Sequence, residues 1–108
     1  NTGLNIASGE YIAYVDSDDY LDTTMFDKMM KFILKHDLEI MEIEPKNSTK
    51  NIVFDDSFIL ENPIDATKRI LKNTSFSVWR RIFKRSLVND LRFIPGLIHQ
   101  DVFYLVDI

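Results

Sequence analysis

The segment from Tyr11 to Val15 constrains the fold more than any other part of this 108-residue chain. Every residue in it is apolar or aromatic. A strand with one solvated face alternates polar and apolar residues, and this segment shows no such alternation. Short, continuously apolar strands are typical of sheets that are covered on both faces. We therefore predict that Tyr11 to Val15 is a buried strand in a layered α/β domain.

Helix and strand patterns alternate along the rest of the chain. From Thr24 to His36, apolar residues recur at helical spacing, and we expect the methionines among them to pack in the core. Asn62 and Pro63 predict an N-cap followed by proline in the first turn of a helix that runs to about Lys72. Further helices are predicted within residues 1–8, over 84–89 and over 100–108, with a left-handed Gly9 closing the first of them. Asp22 or Thr23 is the predicted cap of the helix that follows it. Strands are predicted over 38–43, 52–54 and 77–83, a polar loop over 45–50 and a turn over 93–97. Together they indicate one α/β domain over residues 1–108.

Composition excludes several classes of function. The formal net charge of −4 argues against nucleic acid as a partner. There is no cysteine, so disulfides, thiolate zinc sites and cysteine nucleophiles are excluded. No apolar run approaches the ~20 residues that span a bilayer, and no signal peptide is visible. Because the chain starts at Asn1 and its last residues are predicted to be helical, we expect it to be part of a longer protein.

Three carboxylates, Asp16, Asp18 and Asp19, follow the predicted strand directly, and Asp22 comes soon after them. In open α/β sheets, ligands bind beyond the carboxyl ends of the strands. Two aspartates separated by one residue can present oxygen ligands to Mg²⁺ or Mn²⁺, whose other positions are filled by phosphate oxygens and water. Such a site would neutralise the charge of a departing phosphate group. The alternative is that the aspartates are turn and helix-cap residues, which is the role we expect for Asp19 and Asp22.

Both ends of the chain carry motifs of one enzyme family. The first set is Asn1-x-Gly3, Ala7-x-Gly9-Glu10-Tyr11-Ile12 and Asp16-Ser17-Asp18-Asp19. The second set is Trp79-Arg80-Arg81-Ile82-Phe83-Lys84-Arg85 and Phe93-Ile94-Pro95-Gly96-Leu97-Ile98-His99-Gln100-Asp101. In this order the motifs resemble the central and C-terminal segment of the catalytic domain of family 2 glycosyltransferases.

The resemblance implies a fold and a set of site residues. The fold is a partial GT-A fold, a Rossmann-like α/β fold of nucleotide-diphospho-sugar transferases, without its N-terminal nucleotide-binding strands. Asp18 corresponds to the aspartate that contacts Mn²⁺ or Mg²⁺, and Asp16 to its partner that contacts the nucleotide or orients the site. Asp101 corresponds to the general base that removes a proton from the acceptor hydroxyl. Arg81 retains a cation of the tryptophan-led strand, and we expect it to face the diphosphate or the acceptor.

The implied activity is an inverting transfer, of the hexosyltransferase type, of a sugar from a nucleotide-diphosphate sugar to an acceptor hydroxyl. A UDP-sugar is the favoured donor, and a saccharide or a lipid-linked molecule is the expected acceptor. The usual setting is the synthesis of bacterial surface or capsular polysaccharide, in the cytoplasm or at the inner face of the membrane. Because the nucleotide-binding strands would precede Asn1, we expect these 108 residues alone to be inactive and to be unstable or to self-associate.

Some positions depart from the family pattern. Gln100 stands where glutamate commonly precedes the base, so the negative charge of that position is lost. Arg80 stands where asparagine is frequent, and we expect it at a solvated strand edge. Arg81 replaces a frequent lysine, which differs from arginine in geometry. His99 is predicted to be a loop residue, and His36 is predicted to lie at a helix end.

Two other functions fit parts of the pattern. A phosphotransfer enzyme of the haloacid dehalogenase type also places D-x-D after an apolar strand, with the first aspartate as nucleophile. Such enzymes usually have threonine or valine where this chain has Tyr20. A non-catalytic module that retains the glycosyltransferase fold without its chemistry would account for Gln100.

Overall fold

The computed structural model describes residues 1–43 and 58–108. Within these residues the chain forms five α-helices, one 3₁₀ turn and three β-strands. The strand predicted over residues 52–54 and the polar loop predicted over residues 45–50 lie outside the described residues.

A three-stranded sheet lies at the centre of the described structure. Its strands are β1 (Tyr11–Ala13), β2 (Ile40–Glu42) and β3 (Arg81–Lys84), in the order β1-β3-β2. The central strand β3 runs antiparallel to both neighbours, so Phe83 pairs with Ile12 on one side and with Ile40 on the other. Residues from three distant parts of the chain therefore meet in one sheet.

The helices surround this sheet. They are α1 (Thr2–Ile6), α2 (Met25–His36), α3 (Pro63–Asn73), α4 (Arg85–Val88) and α5 (Gln100–Val106), and the 3₁₀ turn is Val78–Arg80. The predicted N-cap of α3 is confirmed, since the side chain of Asn62 accepts a hydrogen bond from the backbone N–H of Asp65 at 3.0 Å. None of the helices in the described ranges is long and apolar enough to cross a membrane.

The apolar core has two parts, one on each face of the sheet. Adjacent residues of a strand point to opposite faces, and Ile82 and Phe83 of β3 accordingly belong to different clusters. Ile82 packs with residues of α2, and Phe83 packs with residues of β1, α4 and α5. The first cluster contains Met25, Met29, Ile33 and Ile82, and the second contains Ile12, Val78, Phe83, Val88 and Tyr104. Layered α/β packing is thus confirmed, as is the core position of the α2 methionines.

The predicted strand from Tyr11 to Val15 is shorter and less buried than expected. It ends at Ala13, which is exposed, and Val15 is 46% exposed. Of the strands in the described residues, β1 pairs only with β3 and lies at the edge of the sheet. An edge position leaves part of a strand open to solvent whatever its composition, so the prediction of burial on both sides is wrong for the second half of the segment.

Two further local predictions are wrong. Gly9 does not adopt a left-handed conformation: α1 ends at Ile6 with an extended C-cap residue, Ala7, and of the described glycines Gly96 alone has a positive φ. The strand predicted over residues 77–83 begins only at Arg81, since Val78–Arg80 forms a 3₁₀ turn. Residues 77 and 78 do not extend the strand because their backbone groups form hydrogen bonds with side chains of β3 and α5.

Adjacent residues of α2 offer a test of this packing. Ile33 is fully buried and Leu34 is 67% exposed. We expect Ile33→Ala to lower the free energy of unfolding by about 2–5 kcal/mol, because it leaves a cavity between α2 and the sheet. Leu34→Ala should change it by less than about 0.5 kcal/mol. Chemical denaturation of the whole protein measures both, and equal losses in the two variants would contradict the placement of α2.

Candidate functional site

An acidic loop follows β1 and leads to α2. Asp16, Asp18 and Asp19 are all exposed there, and the N–H of Asp19 donates to the carbonyl of Asp16 at 3.1 Å, which forms a turn. Within the part of the chain that the structure describes, the carboxylates of Asp16 and Asp18 have no hydrogen-bond or ion-pair partner. Both are therefore open to water and to a cation.

Asp22, at the end of the same loop, has a structural role. Its Oδ1 accepts hydrogen bonds from the hydroxyl of Thr24 at 2.6 Å and from the backbone N–H of Thr24 at 2.8 Å. These two bonds favour the ionised form and hold the pKa of Asp22 below its ordinary value. Asp22 thus stabilises the turn that precedes α2, but the predicted helix cap at Asp22 or Thr23 is wrong, since the N-cap residue is Thr24.

The predicted base, Asp101, lies in the first turn of α5, as expected from the sequence. His99, which precedes the helix, adopts a left-handed backbone conformation with φ of 60°. The Oδ2 atom of Asp101 accepts a hydrogen bond from the backbone N–H of Val78 at 3.1 Å. Asp101 borders an open cleft of about 520 Å³, whose lining is Thr74, Phe76, Ser77, Leu97, His99, Gln100, Asp101 and Val102. The carboxylate is thus held at one oxygen beside a space that a small polar group can enter.

A pair of tyrosines connects the acidic loop with α5. The hydroxyls of Tyr14 and Tyr104 are 2.5 Å apart, and Phe93 stacks on the ring of Tyr104 with centroids 4.3 Å apart. Tyr14 lies two residues before Asp16, and Tyr104 lies one helical turn after Asp101. Burial raises the pKa of both tyrosines, so the pair is neutral at physiological pH. The chain segments that carry the predicted metal ligands and the predicted base are therefore in contact.

A cluster of charged residues adjoins Ser77, one of the residues that line the Asp101 cleft. Glu42 is at its centre, with the guanidinium groups of Arg80 at 2.6 Å, Arg81 at 3.0 Å and Arg69 at 3.2 Å. Glu61 binds Arg69 at 2.8 Å. We refer to Glu42, Arg69, Arg80 and Arg81 as the Glu42 cluster. Sequence analysis missed Glu42, because nothing in the local pattern of β2 marks it as the partner of three arginines.

The charge state of this cluster follows from its geometry. Burial would raise the pKa of Glu42, but the hydrogen bond from Arg80 and the charges of Arg81 and Arg69 outweigh it and hold the pKa below its ordinary value. Burial lowers the pKa of Arg81, and the charge of Glu42 opposes that effect. Glu42 is therefore ionised at neutral pH and compensates cations that would otherwise repel one another.

Arg80 and Arg81, the two arginines named from the sequence, are both held in the Glu42 cluster. The solvated position predicted for Arg80 is wrong, since its side chain is only 18% exposed and is paired with Glu42. Arg81 is 2% exposed and donates to the backbone carbonyls of Ser77 and Ser75 at 2.6 and 2.7 Å. The structure gives Arg81 these partners in place of solvent, so we leave it out of the proposed donor site.

The described residues hold no group of three or more histidine, cysteine, aspartate or glutamate side chains that could bind a metal ion. Asp16 and Asp18 nevertheless suit a cation of one kind. Mg²⁺ usually binds through one or two carboxylates together with substrate phosphates and water, and it does not require a complete protein cage. An exposed pair of carboxylates without partners fits that mode of binding.

Comparison with known proteins assigns the chain to a family. The model of glycosyl transferase family 2 matches residues 1–92. The chain therefore belongs to glycosyl transferase family 2, a family of transferase enzymes, which confirms the family resemblance. The match includes the motifs up to Arg85, and the motif over residues 93–101 lies outside it. This membership removes the support for a phosphotransfer enzyme of the haloacid dehalogenase type.

Three relatives illustrate the similarity. The chain is 28% identical to the glycosyltransferase YibD of Escherichia coli K12, over 99% of this chain and 35% of the relative. It is 28% identical to the glycosyltransferase GlyA of Streptococcus pneumoniae, over 94% of this chain and 16% of the relative. It is 29% identical to WfgD of Escherichia coli, a UDP-Glc:α-D-GlcNAc-diphosphoundecaprenol β-1,3-glucosyltransferase, over 97% of this chain and 40% of the relative. The chain thus spans less than half of the length of each, and no solved structure matches it.

The Glu42 cluster leads to a prediction about stability and pH. At pH 7, Glu42→Gln should lower the free energy of unfolding by about 3–5 kcal/mol, because it leaves buried arginine charges uncompensated. The pKa of Glu42 is depressed in the folded state, so its contribution is fully present above the unfolded-state value of 4.5 and is lost as the pH falls through the folded-state value. The difference between the wild type and Glu42→Gln should therefore shrink below pH 4.5 in denaturation experiments.

Glu61→Gln is the matched control, because Glu61 binds only Arg69 of the cluster and its side chain is 23% exposed. Its cost should be about 1 kcal/mol or less. Equal costs for the two variants, or a difference between the wild type and Glu42→Gln that does not change with pH, would contradict the central role of Glu42.

Proposed function

We propose that the protein to which this chain belongs transfers a sugar from a nucleotide-diphosphate sugar to an acceptor hydroxyl, with inversion, on a GT-A fold of which these residues form a part. The observation that carries the proposal is the contact between two acidic elements. The loop with Asp16 and Asp18 is joined to the helix with Asp101 through the hydroxyls of Tyr14 and Tyr104. Family membership supplies the reaction class.

Asp16 and Asp18 are the proposed metal ligands, with Asp16 also contacting the nucleotide or orienting the site. They fit Mn²⁺ or Mg²⁺ because their carboxylates are exposed and unpartnered within the described residues. A bound ion would neutralise the negative charge that develops on the departing nucleoside diphosphate. Asp22 does not join them, since its carboxylate is bonded to Thr24. Asp19 is assigned to the turn, in which its N–H donates to the carbonyl of Asp16.

Asp101 is the proposed general base. The N–H of Val78 occupies Oδ2, so Oδ1 remains available to accept a proton from an acceptor hydroxyl in the cleft. As that proton moves to Oδ1, the acceptor oxygen forms a bond to the anomeric carbon of the donor. The bond from that carbon to the diphosphate oxygen breaks on the opposite face, which inverts the configuration. This proton transfer requires one free carboxylate oxygen, and the hydrogen bond to the other oxygen restrains the orientation of the group.

The substrates are proposed from the relatives. The name of WfgD gives UDP-Glc as its donor and α-D-GlcNAc-diphosphoundecaprenol as its acceptor. We favour a UDP-sugar donor and a saccharide or lipid-linked acceptor for this protein too. The setting would be the synthesis of bacterial surface polysaccharide, in the cytoplasm or at the inner face of the membrane.

The metal site can be tested by paramagnetic broadening. Addition of Mn²⁺ and UDP to the isotopically labelled whole protein should broaden the amide resonances of residues 16–19 before those of other segments. Asp18→Asn should abolish the localised broadening, because it removes a carboxylate ligand. Asp19→Asn is the matched control and should retain it. Broadening that is the same in the wild type and in Asp18→Asn would refute Asp18 as a metal ligand.

The base can be tested by activity. With UDP-glucose as donor and a GlcNAc-diphosphate lipid as acceptor, Asp101→Asn should lower kcat of the whole protein by about 10²–10⁴-fold, since it removes the general base. Asp107→Asn changes an exposed carboxylate at the C-terminal end of the same helix and should leave kcat unchanged. Full activity of Asp101→Asn would show that the base lies elsewhere. A wild-type protein without activity toward any nucleotide sugar would favour the non-catalytic module.

A further inference from the structure

The peptide group between Ser77 and Val78 is bonded on both sides by side chains from distant parts of the chain. Its carbonyl oxygen accepts a hydrogen bond from Nη1 of Arg81 at 2.6 Å. Its N–H, which belongs to Val78, donates to Oδ2 of Asp101 at 3.1 Å. The described chain contains no cis peptide, and a trans peptide is planar with its C=O and N–H pointing in opposite directions. A group that fixes the carbonyl therefore also fixes the direction of the N–H.

We propose that Arg81 is a positioning residue that orients the carboxylate of Asp101 through the Ser77–Val78 peptide. The catalytic meaning of that orientation rests on the proposed function, in which Asp101 is the base. The hydrogen-bond path itself does not depend on it. Arg81 thus acts at the acceptor side of the site and through the backbone.

The guanidinium of Arg81 is held rigidly enough for this role. In addition to the Ser77 carbonyl, it donates through Nη2 to the carbonyl of Ser75 at 2.7 Å and pairs with Glu42 at 3.0 Å. The side chain is 1% exposed, so water does not compete for these bonds. A planar guanidinium presents its N–H groups in a fixed fork, and three partners in different directions leave it little freedom to rotate.

The hydrogen bond from the Val78 N–H restrains the carboxylate of Asp101. Val78 is 7% exposed, and a buried N–H needs an acceptor. Asp101 supplies that acceptor from the first turn of α5, a helix of only seven residues. The positive charge at the Ser77 carbonyl polarises the peptide and strengthens its N–H as a donor. The bond therefore holds Oδ2 to the backbone and leaves Oδ1 without a hydrogen bond within the described residues, in a side chain that lines the cleft.

Arg80 provides a natural comparison. Its Nη2 contacts Glu42 at 2.6 Å and the hydroxyl of Ser75 at 2.7 Å, so it belongs to the same charged cluster. Its side chain has no hydrogen bond to the Ser77–Val78 peptide within the described residues. If Asp101 depended on the Glu42 cluster as a whole, a change of either arginine would disturb the position of its carboxylate. If Asp101 depends on the hydrogen bond to the Ser77 carbonyl, only a change of Arg81 should disturb it.

The first experiment compares two variants of the labelled whole protein by NMR. Arg81→Lys should shift the amide proton of Val78 upfield and should also move the carboxylate carbon resonance of Asp101. These shifts should exceed those of all other groups outside the immediate contacts of Arg81. Arg80→Lys should leave both resonances close to their wild-type positions. Equal shifts in the two variants, or no shift of Asp101 in Arg81→Lys, would overturn the proposal.

The reverse experiment remains decisive if Arg81→Lys does not fold. Asp101→Asn alters a partly exposed residue at the start of α5, and it removes the charge that Val78 bonds. The perturbation should extend to the carbonyl carbon of Ser77 and to the guanidinium nitrogens of Arg81. A perturbation confined to Val78 and to α5 would overturn the proposal, because the peptide would then not couple the two side chains.

The outcomes separate this proposal from the proposed function. The resonances are measured without substrate, so their failure to respond would leave the activity of Asp101 as a base untouched. Conversely, full transferase activity in Asp101→Asn would refute the base and leave the hydrogen-bond path intact. If both hold, Arg81→Lys should lower kcat by about tenfold or more in the wild-type background, where a displaced base is costly. It should have little further effect in the Asp101→Asn background.

Discussion

The ionised carboxylate of Glu42 is the group on which the arrangement around the site depends. It compensates three guanidinium groups that come from α3, the 3₁₀ turn and β3. Without it, these cations would be held close together, and Glu61 would be the one remaining carboxylate bonded to them among the described residues. Buried ion pairs contribute little net stability compared with apolar packing, because desolvation offsets their attraction. The value of Glu42 is therefore geometric: it fixes where the arginines point.

The Glu42 cluster is connected to Asp101 through backbone hydrogen bonds of residues 75–78. Arg81, held by Glu42, bonds the carbonyls of Ser75 and Ser77 and prevents this stretch from pairing as a strand. The N–H of Val78 is thereby free for Asp101. One helical turn after Asp101, on the same face of α5, the hydroxyl of Tyr104 bonds that of Tyr14, which precedes the acidic loop. The helix with the proposed base is thus held by two sets of contacts, a hydrogen bond to the backbone at Asp101 and an aromatic contact at Tyr104.

The two acidic elements have environments that suit different tasks. Asp16 and Asp18 are exposed and unpartnered in the described structure, as carboxylates must be to receive a cation together with its diphosphate. Asp101 is partly buried and fixed at one oxygen, as suits a group that must meet a hydroxyl in one direction. Membership of glycosyl transferase family 2 supplies the reaction class for which we propose these roles, because the fold alone does not specify a reaction.

The sequence by itself determined the helices α2, α3 and α5 and the family, because helical spacing, an Asn-Pro start and ordered motifs are local properties. It also supplied the proposed roles of Asp16, Asp18 and Asp101, which remain predictions. It did not determine that Val15 is exposed, that Val78–Arg80 is a 3₁₀ turn or that Arg81 is buried. Those outcomes depend on partners that are far apart in sequence, such as Arg80 and Glu42, which are separated by 38 residues. Only the tertiary structure brought such partners together, because packing of β3 between β1 and β2 decides which side chains meet and local spacing does not.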